Sequence, residues 1–250
     1  MRLFGLIGYP LGHSFSKKYF TEKFISESIT ETYYELFPIE NIEKFPDLIL
    51  KKKNLLGLNV TIPYKEQIIQ FLDDIDLSAK KIGAVNCVKI KKGKTSDKLI
   101  GYNTDVYGFE KSFLPFLQKH HTKALILGTG GASKAVEFVL KKLNIDYMYV
   151  SRTPKSKKII GYNDLDKDVL SNYPIIINTS PLGMFPNVNS APAIPFKFLN
   201  SKHLLYDLVY NPEETKFMAL GRDYSATVSN GLSMLHEQAE KAWEIWNSQV

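Results

Sequence analysis

The sequence predicts an α/β protein of two domains, and three observations lead to that prediction. The length of 250 residues suffices for two domains, and the hydrophobic and charged contents of 44 % and 23 % are ordinary for a globular chain. Residues 1–102 alternate short apolar runs with helical patterns. Residues 123–150 contain a strand, a glycine turn, a helix and a second strand, which is the order of a parallel βαβ unit. We therefore expect a parallel sheet in the second domain.

In the first domain, the spacing of apolar residues defines the elements. Helices are expected over 16–28 and 41–52, and a third over 63–72, where Pro63 suits a first helical turn. Strands are expected over 3–8, 32–37, 55–61, 82–90 and 99–102. The first ten residues have a faint likeness to a signal peptide, but two glycines and a proline interrupt the apolar stretch, so a buried first strand is the better interpretation.

In the second domain, an amphipathic helix over 104–118 precedes the βαβ unit. The unit consists of a strand over 123–127, a helix over 133–143 and a strand over 147–150. Two further strands are expected over 175–178 and 204–207, with a proline- and glycine-containing loop over 181–186 between them. A last helix is expected over 233–246.

The net charge of +6 and the single cysteine restrict the classes of function. A basic surface can bind nucleic acid or steer small anions, but the lysines lie in separate clusters without a basic recognition helix, so no nucleic-acid partner is expected. Cys87, being alone, excludes an intramolecular disulfide and a multi-cysteine metal site, and it fits a reducing cytoplasm. No metal site is expected, and no apolar run is long enough to span a bilayer.

The glycine turn predicts a dinucleotide site in a Rossmann-type domain. Gly128, Gly130 and Gly131, with Ala132, lie between the first strand and its helix, so the backbone can approach a pyrophosphate at the helix N-terminus. Ser133 occupies the position of the third glycine in the usual pattern. A glycine-rich turn followed by a solvated basic loop is the alternative.

The end of the second strand favours NADP over NAD. An NAD site usually has an acidic residue there, which bonds the ribose hydroxyl. This chain has Arg152 between Ser151 and Thr153, and a guanidinium can grip a 2′-phosphate through two charge-assisted hydrogen bonds.

Three polar segments interrupt the first domain where packing alone would favour apolar residues. They contain Ser14 and Ser16, then Asn59, Thr61 and Lys65, then Asn86 and Asp105. Each has a simpler interpretation when taken alone: a helix N-cap for the serines, a solvated lysine, and an acid that favours a helix dipole.

Nine ordered motifs together carry a likeness to a known family. They are residues 14–16, 59–65, 83–86, 101–105, 128–133, 151–153, 178–184, 206–212 and 230–238. In this order and over essentially the whole chain, the sequence resembles the shikimate dehydrogenases, which reduce 3-dehydroshikimate to shikimate with NADPH on the way to chorismate and the aromatic amino acids. The chain departs from the family where Lys17 replaces a proline, where Ser151 replaces an asparagine, and over 215–221, which looks shorter.

The resemblance implies the role of each candidate residue and the domain boundaries. It implies a discontinuous substrate domain of residues 1–102 and 232–250, an NADP domain of residues 103–231, and an active-site cleft between them. Lys65 and Asp105 would form the catalytic pair, with Lys65 as the general acid in reduction. The substrate would contact Ser14, Ser16, Asn59, Thr61, Asn86, Tyr210 and Gln238. The cofactor would contact Gly128, Gly130, Gly131, Ala132, Ser133, Ser151, Arg152, Thr153, Thr179, Val209 and Gly231.

Two other functions remain open at this level. One is a quinate/shikimate dehydrogenase that prefers NAD, which Arg152 disfavours. The other is a non-catalytic NADP-binding sensor, which would not need both Lys65 and Asp105. A monomer or a homodimer is expected, with a small-molecule substrate and no membrane partner.

Overall fold

The computed structural model describes residues 1–12, 15–154 and 156–248. The chain divides into two compact units, one of Met1–Thr104 with Ala239–Val250 and the other of Asp105–Gln238. In the part of the chain that the structure describes, no helix is long and apolar enough to cross a bilayer.

The first unit contains, within the described residues, a mixed sheet of six strands. Their order across the sheet is β2-β1-β3-β5-β6-β4, and β1 is parallel to both β2 and β3, whereas β5 is antiparallel to β3 and β6. The strands are β1 (Arg2–Gly8), β2 (Thr32–Pro38), β3 (Leu55–Val60), β4 (Asp74–Ile75), β5 (Cys87–Lys91) and β6 (Lys98–Tyr102). Strands form in all five predicted segments, although one of them starts later than predicted, and the two-residue β4 was not predicted.

Three helices join these strands: α1 (Phe15–Ser26), α2 (Phe45–Lys51) and α3 (Leu77–Ile82). The prediction of a strand from residue 82 was wrong, because α3 runs to Ile82 and ends at Gly83, whose φ of 71° is left-handed. The strand starts only at Cys87, so residues 83–86 form a loop before it.

The helix predicted over 63–72 was also wrong. In an α-helix the Lys65 carbonyl would accept from the N–H four residues later. Here it accepts instead from Val85 N–H at 2.7 Å, and Ile69 N–H bonds to Glu66 at 3.3 Å. Only a short 3₁₀ helix forms, over Gln67–Phe71, and the preceding turn is tied to the loop at Val85.

The second unit begins in α4 (Thr104–Phe113) and contains, among its described residues, a fully parallel sheet with the order β12-β11-β10-β7-β8-β9. Counted from β7, this is the order 3-2-1-4-5-6 of dinucleotide-binding domains. The helix predicted over 104–118 stops at Phe113, where Pro115 enters a 3₁₀ turn. The remaining elements are β7 (Lys123–Leu127), α5 (Gly131–Lys142), β8 (Asp146–Ser151), β9 (Ile159–Gly161), α6 (Lys167–Asn172), β10 (Ile175–Asn178), β11 (Leu204–Asp207), α7 (Lys216–Asp223) and β12 (Thr227–Ser229).

The last helix, α8 (Leu232–Asn247), ends in the first unit, where an aromatic cluster anchors it. Trp246 stacks on Phe4 with ring centroids 4.9 Å apart and donates its Nε1–H to the Val88 carbonyl at 3.1 Å. A β-carbon at Gly57 would lie 2.3 Å from the Trp246 ring, so this contact requires glycine. Cys87, on the neighbouring strand, is fully buried in the same cluster.

Candidate active site

A buried hydrogen-bond network joins two of the predicted substrate residues in the first unit. Asn59 lies at the end of β3, and its Nδ2 donates to the Asn86 carbonyl at 3.4 Å. The side chain of Asn86 in turn holds Thr104: its Oδ1 accepts from Thr104 N–H at 2.6 Å, and its Nδ2 donates to Thr104 Oγ1 at 3.0 Å. All three side chains are buried, so these bonds are shielded from water.

The same network fixes the backbone beside both predicted catalytic residues. The Lys65 carbonyl is bonded to Val85, the residue next to Asn86. Asp105 directly follows Thr104, whose N–H and hydroxyl are both bonded to Asn86, and it lies in the first turn of α4. Lys65 and Asp105 are half-buried. Asn86 and its neighbour therefore connect the two chain segments that carry the proposed catalytic pair.

The other predicted substrate residues of the first unit lie at the start of α1 and at the end of β3. Ser16 is half-buried in the first turn of α1, and Thr61 directly follows β3. The Thr61 N–H donates to the Ile7 carbonyl at 2.9 Å, which extends the β1–β3 pairing to the strand end. Ser14 lies outside the described residues.

The glycine turn lies where the strand order of the second unit reverses, between β7 and β10. Gly128 has a φ of 111°, which favours glycine, and its N–H bonds to Val150 at 3.0 Å. On the adjacent strand, the Thr179 hydroxyl donates to the Leu127 carbonyl at 2.9 Å. The turn and Thr179 therefore lie together at the carboxyl edge of the sheet, where open α/β sheets bind ligands.

The next residues of the turn leave the space that a pyrophosphate needs. A β-carbon at Gly130 or at Gly131 would meet no atom within 4 Å. Gly130 has an extended backbone and caps α5, so the N–H groups of the first helical turn face this open space. Ala132 is exposed beside it, and the buried Ser133 donates its hydroxyl back to the Gly130 carbonyl at 2.7 Å. These residues fit a dinucleotide.

The predicted 2′-phosphate loop follows β8. Ser151 ends the strand, and its Oγ accepts from the Thr153 N–H at 3.3 Å, so the serine closes a tight turn around Arg152. Arg152 is exposed at the tip of that turn. The replacement of asparagine by serine at position 151 thus keeps a side-chain acceptor for this turn.

The remaining predicted cofactor residues lie near Asp207, a fully buried carboxylate at the end of β11. Its Oδ1 accepts from Asn178 Nδ2 at 2.9 Å and from Val209 N–H at 3.0 Å, and its Oδ2 accepts from Thr215 Oγ1 at 2.6 Å. Burial raises the pKa of Asp207 to about 6, although these three hydrogen bonds act to lower it.

Gly231 packs on the same loop. A β-carbon there would lie 2.2 Å from the Leu208 carbonyl oxygen, and its N–H bonds to Val209 at 3.2 Å. Thr179, Val209 and Gly231 are thus brought to one edge of the sheet through Asn178 and Asp207. Tyr210 is half-buried in this loop, where burial raises its pKa, and Gln238 is buried on α8 at the end of the second unit.

Comparison with known proteins agrees with this arrangement. A model of the shikimate dehydrogenase substrate binding domain matches residues 6–88. The shikimate dehydrogenase (NADP(+)) of Methanococcus vannielii is 38 % identical over 265 residues, which cover 98 % of this chain and 90 % of the relative. That of Carboxydothermus hydrogenoformans is 39 % identical over 261 residues, with 98 % and 91 % covered. The chain belongs to the shikimate dehydrogenase family.

A solved structure of the family shows the same fold. Shikimate 5-dehydrogenase from Thermus thermophilus, in complex with NADP(H) and shikimate, superposes with a TM-score of 0.84 at 27 % identity, covering 99 % of this chain and 94 % of the other. The predicted family, the α/β fold with a Rossmann-type domain, and the enzyme class of an NADP-dependent oxidoreductase of the shikimate pathway are confirmed. The roles of individual residues stay predictions.

Two residues that shape this shikimate dehydrogenase site were assigned no role from the sequence. Asp207 lies within a recognised motif, but an acid after an apolar strand gives no sign that three donors converge on it. In the sequence, Tyr34 is an ordinary aromatic residue of a predicted strand, yet its hydroxyl donates to Asn59 Oδ1 at 2.7 Å. Both signals depend on contacts between segments far apart in the chain.

Proposed function

We propose that this chain catalyses the reversible reduction of 3-dehydroshikimate to shikimate, with residues 1–102 and 232–250 binding the substrate and residues 103–231 binding NADP. This proposal rests mainly on two neighbouring residues of one loop. Asn86 bonds to Thr104, which precedes Asp105, and the Val85 N–H bonds to the Lys65 carbonyl. A binding module would not need a lysine and a carboxylate on two segments that are tied together in this way.

The second unit supplies the features for NADP. The open space at Gly130 and Gly131 beside the N-terminus of α5 suits the pyrophosphate, and Arg152 suits the 2′-phosphate. Thr179, Val209 and Gly231, held at the sheet edge through Asp207, would line the nicotinamide end. When bound, NADPH supplies the hydride that reduces the substrate ketone.

Lys65 and Asp105 would handle the proton. Reduction leaves negative charge on the former ketone oxygen, and an ammonium beside that oxygen stabilises it and donates the proton. Lys65 would be this acid in reduction and the base in oxidation, and Asp105 would orient it. Ser14 and Ser16 would bind the substrate carboxylate, and Asn59, Thr61, Asn86, Tyr210 and Gln238 would bind the ring and its hydroxyls.

The test is an absorbance assay of nicotinamide reduction with shikimate and NADP⁺, run beside three arms that replace shikimate by quinate, NADP⁺ by NAD⁺, or both. We expect the highest kcat/KM for shikimate with NADP⁺. Preference for NAD⁺ would contradict the role of Arg152, and absence of turnover in all four arms would favour a sensor. For cell location, we propose the cytoplasm, since a chain with one cysteine forms no internal disulfide and fits a reducing compartment. For assembly, we propose a monomer or a homodimer, which sedimentation would distinguish.

A further inference from the structure

The hydroxyl of Tyr34 is a polar group in an otherwise aromatic environment. Tyr34 lies on β2 with only 4 % of its surface exposed. Its ring stacks on Phe20, with centroids 4.6 Å apart. The centroid of the Trp246 ring lies 6.4 Å away, and that ring is tilted by 41° relative to Tyr34. Burying a hydroxyl without a hydrogen bond destabilises the folded state, so the hydrogen-bond partner of Tyr34 indicates the role of its hydroxyl.

That partner is Asn59, a residue of the proposed substrate site. The strand register places Tyr34 opposite Phe4 and places Asn59 opposite Leu6, two positions further along β1, so both side chains lie on one face of the sheet. Tyr34 reaches across β1 and donates its proton to Asn59 Oδ1 at 2.7 Å. Burial raises the pKa of Tyr34 well above its usual value, so the hydroxyl keeps this proton.

The bond decides which way the Asn59 amide faces. A side-chain amide has an acceptor end and a donor end, which a rotation by half a turn exchanges. The Asn86 carbonyl can only accept, so the NH₂ group of Asn59 faces Asn86. The amide oxygen then faces Tyr34, whose hydroxyl donates to it. Without the hydroxyl, the amide oxygen would lose this donor, and only the longer bond to the Asn86 carbonyl would favour the orientation. The NH₂ group has a second N–H, which can donate to another acceptor.

We propose that Tyr34 is a positioning residue that holds Asn59 with its N–H donors directed at a substrate hydroxyl. The inference rests on the proposed function, in which Asn59 binds the substrate ring. Tyr34 itself touches no reacting atom. It acts by keeping Asn59 in the orientation that donates to the substrate.

The test uses the variant Tyr34→Phe, which keeps the ring and removes only the hydroxyl. We expect the KM for shikimate to rise about tenfold, as for the loss of one hydrogen bond to substrate. The kcat should change less than about threefold and the KM for NADP⁺ less than about twofold, because the hydroxyl does not contribute to the chemical step.

Tyr206→Phe is the matched control. Tyr206 is also a fully buried tyrosine whose hydroxyl is bonded to a serine, Ser112 Oγ at 2.6 Å, but it lies in the second unit. Both variants should lower Tm by a few degrees. Only Tyr34→Phe should raise the KM for shikimate. Equal kinetics for the two variants, or a Tyr34→Phe protein that does not fold while Tyr206→Phe does, would assign Tyr34 a structural role alone.

A double-mutant cycle tests the route through Asn59. If Tyr34 acts by orienting Asn59, Tyr34→Phe should add less than about twofold to the KM of Asn59→Ala. Additive effects would overturn the inference while leaving the proposed function intact. A wild-type enzyme that does not turn over shikimate would instead contradict both.

Discussion

Replacing Asp207 by asparagine should make the stability of the protein less dependent on pH. Asp207 is fully buried at the end of β11, and its three hydrogen-bond donors are all neutral. An asparagine of the same shape can still accept from Asn178 and Val209 with its oxygen, and its NH₂ group can donate to the Thr215 hydroxyl. The substitution therefore removes the charge and keeps the shape of the side chain. It also takes the acceptor from the Thr215 hydroxyl proton, a cost that does not vary with pH.

The magnitude follows from the pKa. Burial raises the pKa of Asp207 from 3.8 to about 6, so between these values the folded protein binds more protons than the unfolded chain. Stability then falls as the pH rises through this window and is constant above it. A rise of about two pKa units corresponds to about 3 kcal/mol, which is the cost of ionising Asp207 in the folded state.

The assay is urea unfolding of the wild type and of Asp207→Asn from pH 4 to pH 7.5, with free energies compared at each pH. The variant should gain on the wild type by up to about 3 kcal/mol between pH 4 and pH 7. Asp168→Asn, on the exposed surface of α6, is the control and should follow the wild type throughout. A difference between wild type and Asp207→Asn that does not vary with pH would refute the reasoning.

Four further substitutions test the proposed roles. Lys65→Met should lower kcat about 10²–10⁴-fold with little change in KM, and a normal kcat would remove Lys65 from the chemical step. Arg152→Ala should raise the KM for NADPH about tenfold or more and leave that for NADH nearly unchanged, whereas equal effects would show that it does not contact the 2′-phosphate. Gly130→Ala should keep the wild-type Tm, because its β-carbon meets no atom within 4 Å, but raise the KM for NADP⁺. Gly231→Ala should lower Tm in addition to raising this KM, because its β-carbon would lie 2.2 Å from the Leu208 oxygen. A lower Tm for Gly130→Ala but not for Gly231→Ala would contradict this distinction.

The elements that could be predicted from the sequence are those whose signal is local. The strand at Lys123–Leu127, the glycine turn and the helix after it follow from apolar spacing and from glycine. The segment after Pro63 looked helical for the same reason, but its Lys65 carbonyl accepts from the N–H of Val85, far along the chain, which no local pattern reveals.

The candidate site shows the same division. The serines, Lys65, Arg152 and the glycines stand out as chemical groups in recognisable motifs. The positions that hold such groups in place do not, because Tyr34 and Asp207 are defined by partners on other strands. An aromatic residue in a strand and an acid at its end are common in any α/β protein, so their importance emerged only from the contacts they make.

The burial of Cys87 has a practical consequence for anyone working with this enzyme. The thiol is inaccessible, and its pKa is raised by that burial, so an alkylating reagent can attack it only after the strand around it has opened. With no second cysteine in the chain, the labelling rate reports the opening of the first unit alone, without an engineered probe. Added shikimate should slow that rate, because a ligand that binds the folded state makes opening less favourable. The labelling rate of Cys87 would therefore measure ligand binding.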